Sequence, residues 1–149
     1  MSSAWATPVW FFFHGMAEKV HENFYNANRG ACLGIVKSIC SVLPCPICRK
    51  EAEKYINRIT VSQVPTKESF KKMIFTFHNA VNRRLHKRIM PESGLRRYKY
   101  LKFIKCTRLM CYQMKRFNRG VFRSHLTAST NRYIDLIENS VRAHIQHFL

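Results

Sequence analysis

A chain of 149 residues, 46% hydrophobic and 13% aromatic, is long enough to bury a core without disulfide staples, and its five glycines and five prolines are too few for the many turns of an all-β fold. It carries 26 Lys and Arg against 8 Asp and Glu, a net charge of +18. No stretch approaches the ~20 uninterrupted apolar residues of a membrane-spanning helix; the most apolar run, Val9 to Phe13, is bounded by Pro8 and His14.

Thr7-Pro8 reads as an N-cap with proline at the first helical position, opening a helix that runs to about Asn26 and stops near Asn28-Arg29-Gly30. Leu33, Val36, Cys40 and Leu43 form the stripe of a short amphipathic helix ended by Pro44. A third helix is expected from Pro46, with Cys45 near its N-cap and Cys48 in its first turn. Beyond the link ITVSQVP, Thr66 can cap a long fourth helix with Phe70, Met73, Ile74, Phe77, Val81 and Leu85 on its apolar face. Met90 to Gly94 is a breaker. A basic helix follows with Tyr100, Phe103, Met110, Met114 and Phe117 on one face, ended by Asn118-Arg119-Gly120. The polar run HLTASTN reads as a linker to a final helix striped by Ile134, Ile137, Val141, Ile145 and Phe148.

No cation precedes Lys19 and no arginine precedes Arg29, so neither a secretory leader nor an Arg-rich transit peptide is expected. In the reducing compartment this implies, six cysteines are expected to be catalytic, metal-binding or buried. Charge is uneven: residues 1–60 carry +3 and the remainder +15. Between Arg83 and Arg123 stand fourteen basic residues and one acid, Glu92, with aromatics interleaved. Such a half-chain can attract nucleic acid or an acidic partner, or simply be a solvated face.

Cys45 and Cys48, as Cys-x-x-Cys at a helix start, suit thiol chemistry, because unsatisfied N–H groups and the helix dipole favour a thiolate there. A thioredoxin-like setting lacks its parallel strands. A zinc setting lacks two further ligands at usual spacing, since His78 and His86 are eight apart. A redox pair needs an electron acceptor, and a flavin would require an aromatic wall with a few polar groups. Trp10 and His14 share a face of the first helix, and His78 and Asn82 share a face of the fourth, beside Asn79. Taken singly, each polar residue is more often an ordinary satisfied helix residue; it is their combination that points to a flavin.

Together, Trp5-x4-Trp10-x3-His14, Leu43-Pro44-Cys45-Pro46-Ile47-Cys48 and Phe77-His78-Asn79-Ala80-Val81-Asn82, followed by Lys87, resemble the Erv/ALR family of FAD-linked sulfhydryl oxidases, most closely members encoded by large DNA viruses. The resemblance covers residues 5 to about 88. It implies an all-α fold, a four-helix bundle around FAD with a short additional helix, as residues 1–92, and a basic helical extension, 93–149, packed on it. It implies Cys45 and Cys48 as the catalytic disulfide, with Cys48 next to the flavin and Cys45 facing substrate. Trp5, Trp10, His14, His78, Asn79, Asn82 and Lys87 become the FAD contacts. Thiol-containing protein substrates, dioxygen as acceptor, a homodimer through the first helices, and action in host cytoplasm or virion during viral disulfide formation follow as expectations. The alternative is a basic nucleic-acid or scaffold binder with zinc at Cys-x-x-Cys.

The sequence also departs from the family pattern. Ala6-Thr7 stands where Gly-Arg is usual, removing one cationic contact unless another Arg or Lys replaces it, and Val20 replaces an aromatic. The structural cysteine pair of cellular members after the lysine is absent. Cys106-x4-Cys111 matches the spacing of some shuttle pairs, but residues five apart on a continuous helix point away from each other, so two separate thiols are expected, as for Cys32 and Cys40.

Overall fold

The computed structural model describes residues 4–121 and 125–149. These form seven α-helices: α1 (Ala6–Lys19), α2 (Glu22–Ala27), α3 (Arg29–Cys40), α4 (Pro46–Ile56), α5 (Lys67–Arg84), α6 (Phe103–Val121) and α7 (His125–Ala143). Short 3-10 segments lie at Val61–Gln63, Glu92–Tyr98 and Ile145–Phe148, and no strand occurs among the described residues. The all-α expectation holds.

The apolar run of α1 is hydrophobic on successive residues because the helix is covered on more than one side, packing against both α5 and α6. Phe12 meets Phe103 of α6, ring centroids 5.2 Å apart, while its neighbour Phe13 meets Phe77 of α5 at 6.4 Å. Gly15 lets the chain entering α6 lie close: a Cβ there would stand 3.1 Å from Leu101 and 3.3 Å from Phe103. Helices α6 and α7 pack on each other as a hairpin, joined by the Lys115–Asp135 ion pair. Tyr133 reaches back from α7 to hydrogen-bond Ser38 of α3 at 2.9 Å.

Several expected boundaries shift. Thr7 lies inside α1, which starts at Ala6 with Trp5 at the N-cap. The single first helix is two, broken at Val20, whose side chain is buried and whose backbone turns extended. The break is pinned from the C-terminus, His147 accepting from the His21 backbone N–H at 2.7 Å. It also turns Tyr25 inward, its hydroxyl donating to the Val64 carbonyl. At the other end, α6 runs through Asn118-Arg119-Gly120 to Val121, one residue past the expected stop, and the Asn118 amide donates to Asn131 of α7 at 3.1 Å. The run read as a linker belongs to α7, where Asn131 accepts from Asn118 of α6. Leu85 and Tyr100, placed on buried stripes, are exposed at 43% and 83% because both fall just outside helix ends. Ile145 and Phe148 continue past α7 in a 3-10 turn, with Phe148 buried against Phe103.

Candidate active site

Pro44 ends the approach from α3, and Cys45 takes extended backbone as the N-cap of α4 with Pro46 behind it at the first helical position. The Cys45 Sγ accepts from the Cys48 backbone N–H at 3.2 Å, satisfying one of the orphan donors of the first turn. The two cysteines are joined as a disulfide, Cα atoms 5.2 Å apart. Arg49 Nε donates to the Leu43 carbonyl (3.1 Å) and ties the first turn of α4 to the preceding loop. Ile47, between the two sulfurs in sequence, is 72% exposed.

A cavity of about 690 Å³ opens among α1, α4, α5 and the segment 92–98. Trp5, Trp10, His78, Asn82 and Lys87 line it, as does Cys48; Cys45 does not. Tyr55, Phe77 and Phe13 add aromatic wall. A neighbouring recess of about 460 Å³ shares His78, Arg97 and Tyr98 with it, so the depression is elongated.

At the junction of the two lies a compact group of rings. Trp10 stacks on His78, centroids 4.0 Å apart and planes within 6°, and His14 stacks on Tyr98 at 4.3 Å and 9°. The stacks are linked by a 2.9 Å hydrogen bond between His14 Nε2 and His78 Nδ1. Burial lowers the His14 pKa to about 3, with His78 and then Arg97 adding to it, and lowers that of His78 to about 4, helped by Lys87 and Arg97. Both rings are therefore neutral near pH 7, one donating to the other.

His14 supports the wall from behind, through His78. Asn79 looks elsewhere: its Nδ2 donates to the Met90 carbonyl and its Oδ1 accepts from the Met90 N–H, both at 2.9 Å, with Asn82 Nδ2 at 3.3 Å. It holds the chain leaving α5 against that helix. Just before this, His86 occupies the left-handed region (φ 55°) and the Lys87 N–H donates to the Asn82 carbonyl at 2.8 Å, while the His86 N–H donates to Arg83. This is the paired C-terminal closure in which glycine is usual.

Lys54, Arg58, Arg84, Lys87 and Arg97 border the cavity against a single acid, Glu51, and none is in an ion pair among the described residues. The indole Nε1 of Trp5, buried at the cavity edge, has no hydrogen-bond partner. A ligand combining flat rings with a polyanionic middle suits this lining. No group of three His, Cys, Asp or Glu positioned for a metal occurs among the described residues.

Sequence reasoning missed Arg97 and Tyr98, which lie beyond the quoted motifs; the one signal available was their adjacency as cation and aromatic in Arg96-Arg97-Tyr98. It likewise passed over Tyr55 and Arg58 on the inner side of α4 and its C-terminal turn.

Among known proteins, the chain is similar to the predicted FAD-linked sulfhydryl oxidase 347L of Invertebrate iridescent virus 6, 33% identical over 99 residues that span 62% of this chain and 89% of that protein. It is also similar to the predicted FAD-linked sulfhydryl oxidase 096R of Invertebrate iridescent virus 3, 28% identical over 97 residues, 64% of this chain and 66% of that protein. No solved structure matches. The family model described as Erv1/Alr matches residues 7–103, a span that holds α1 from its second residue through α5, the disulfide and the cavity wall from Thr7 to Tyr98, and the chain accordingly belongs to the Erv1/Alr family.

Proposed function

We propose that this protein is an FAD-dependent sulfhydryl oxidase that converts pairs of thiols in protein substrates to disulfides, with dioxygen as final acceptor and hydrogen peroxide as the other product. The observation that carries this is the division at the disulfide: Cys48 borders the aromatic cavity and Cys45 does not. The names of the viral relatives support the same reading.

The flavin, when bound, would supply the electron acceptor and the chemistry with oxygen. The chain's own part is the thiol exchange. A substrate thiolate attacks Cys45 Sγ, a substrate–Cys45 bond forms, and the Cys45–Cys48 bond breaks with Cys48 leaving as thiolate at the cavity wall. A second substrate thiolate then attacks the substrate sulfur of that mixed disulfide, releasing oxidised substrate and Cys45 thiolate. The N-terminus of α4 favours negative charge on Cys45, which makes it the better leaving group in this second step. Trp5, Trp10 and His78, with Phe77 and Tyr55, would hold flat rings. Lys87, Arg84 and Arg97 would face the pyrophosphate, taking the part of the cation that Ala6-Thr7 cannot supply, and Asn82 would hydrogen-bond a ring edge. His14 and Asn79 would position this wall. Since both relatives are encoded by viruses, the role we propose for this chemistry is disulfide formation during virion assembly.

The test is made on purified protein. It should carry FAD and consume oxygen when a reduced protein substrate is added, and Cys45→Ser and Cys48→Ser should each lose that activity at least 100-fold while retaining the flavin. A protein that binds no FAD, or variants that keep turning over, overturns the reading.

A further inference from the structure

The interval from Ser93 to Ile134 contains eleven Lys and Arg and no acid. Five of these, Lys99, Lys102, Lys105, Arg108 and Arg116, fall on the outer side of α6 and the turn before it. On α6 the inward side is core, with Phe103, Met110 and Met114 buried, and the outward side presents Lys105, Arg108, Leu109, Tyr112 and Arg116 to solvent. Arg108, Tyr112 and Arg116 recur at four-residue steps, so cation, ring and cation sit one above another on a single face. The same character continues through the turn ahead of the helix, where Lys99, Tyr100 and Lys102 are exposed and the Lys99 Nζ stands 5.9 Å from the Tyr100 ring centroid.

None of these cations is in an ion pair among the described residues. Helix α7, by contrast, carries Asp135 and Glu138, each paired with a cation. A face that served only solubility would mix signs in this way. Lys105 and Arg108, three apart on α6, repel, which costs the fold stability that an arriving polyanion would return. The choice among polyanions rests on the rings. Tyr100 is 83% exposed and Tyr112 57%, and neither is needed by the core. Exposed rings flanked by unpaired cations suit a strand whose bases stack while its phosphates are neutralised. A lipid surface calls for an apolar ridge, and α6 exposes one aliphatic side chain, Leu109, among its described residues.

We propose that the outer face of α6 and the turn before it bind single-stranded nucleic acid, independently of the disulfide chemistry. The experiment is fluorescence anisotropy of the full-length, flavin-loaded protein with a fluorescein-labelled oligo-dT, titrated at several salt concentrations. Binding should weaken linearly in log Kd against log salt. Arg108→Glu/Arg116→Glu should weaken it about 100-fold and flatten the salt slope, while the equal charge change Lys50→Glu/Lys72→Glu, on α4 and α5, should have less than a tenth of that effect. Tyr100→Ala/Tyr112→Ala should weaken it about tenfold at unchanged salt slope, as loss of stacking requires. All variants should keep wild-type oxygen consumption and melting curves. Arg108→Gln/Arg116→Gln provides the same comparison without reversed charge. The proposal is overturned by equal losses in the α4–α5 control, by tyrosine variants that bind like wild type, or by binding to phosphatidylserine vesicles but not to oligo-dT.

Discussion

His86 holds φ 55° with a side chain that gains nothing evident from the conformation, since it is exposed and no hydrogen bond from its ring is present among the described residues. A left-handed backbone costs a non-glycine residue about 1 kcal/mol. Its use is geometric: the chain must reverse at the end of α5 so that Lys87 stands at the cavity rim and Met90 reaches Asn79. His86→Gly should therefore raise stability by about 1 kcal/mol, read as a higher thermal midpoint, and His86→Val should lower it. The buried histidine pair makes the opposite kind of residue-scale demand. Both folded pKa values, about 3 for His14 and about 4 for His78, lie below the ordinary 6.5, so below pH 6.5 the unfolded chain takes up protons that the folded one refuses. Stability is full above pH 6.5 and is lost as pH falls through about 4 and then about 3. The thermal midpoint of wild type should fall across this window, and His14→Gln/His78→Gln, though less stable at pH 7, should fall less steeply. A flat wild-type curve would show that the pair is not held neutral.

At the scale of elements, α6 decides the fate of the remaining cysteines. Cys111 is fully buried, with its thiol pushed up to about 12 chiefly by burial, and Cys106 is half-buried and also raised. Both lie on one unbroken helix and both are free thiols. Exchange between disulfides requires an accessible thiolate, which neither offers. Cys106→Ser/Cys111→Ala should leave oxygen consumption unchanged with a small dithiol and with a protein substrate alike; a loss confined to the protein substrate would make them a relay. The same helix shows what can be read from sequence. Its core stripe and charge were legible because Phe103, Met110 and Met114 recur at helical spacing, and so was its end, expected at Asn118-Arg119-Gly120 with the helix described to Val121, as were Cys45 at the cap of α4 and Thr66 at that of α5. Its start was not, because Tyr100 continues that spacing in sequence yet lies ahead of the helix, in the turn after the segment 92–98 that packs on α1. The break at Val20 was hidden for the same reason, being fixed by the hydrogen bond from His21 to His147, 126 positions further on. Of the motif residues on helical spacings, Trp10, His78 and Asn82 line the cavity while His14 and Asn79 do not, whereas Arg97 and Tyr98 reach it only through the packing of 92–98 on α1.

The whole molecule sets the α6–α7 hairpin against α1, the helix that also carries Trp10 and His14. The family match ends at Phe103, the first residue of α6, so the rest of the hairpin and the 3-10 turn after it lie outside it and yet contribute Met110, Met114 and Phe148 to one continuous core with Phe12 and Met16. Whatever surface the expected homodimer uses, it is not the side of α1 under α6. Removing the hairpin would bare Phe12 and Met16, both fully buried, and loosen Gly15's close contact with Leu101 and Phe103. Each large apolar side chain returned to water costs about 1.5–3 kcal/mol, so two are a large part of the stability of a small domain. A chain ending at Lys102 should therefore either lose its cooperative melt or cover α1 with another copy, sedimenting at a higher oligomeric state than the full chain. It should also release flavin more readily, because Trp10 and His14 ride on the helix that loses its backing. A truncated protein that melts, sediments and retains flavin like the full chain would show that the hairpin is carried by the oxidase fold without supporting it.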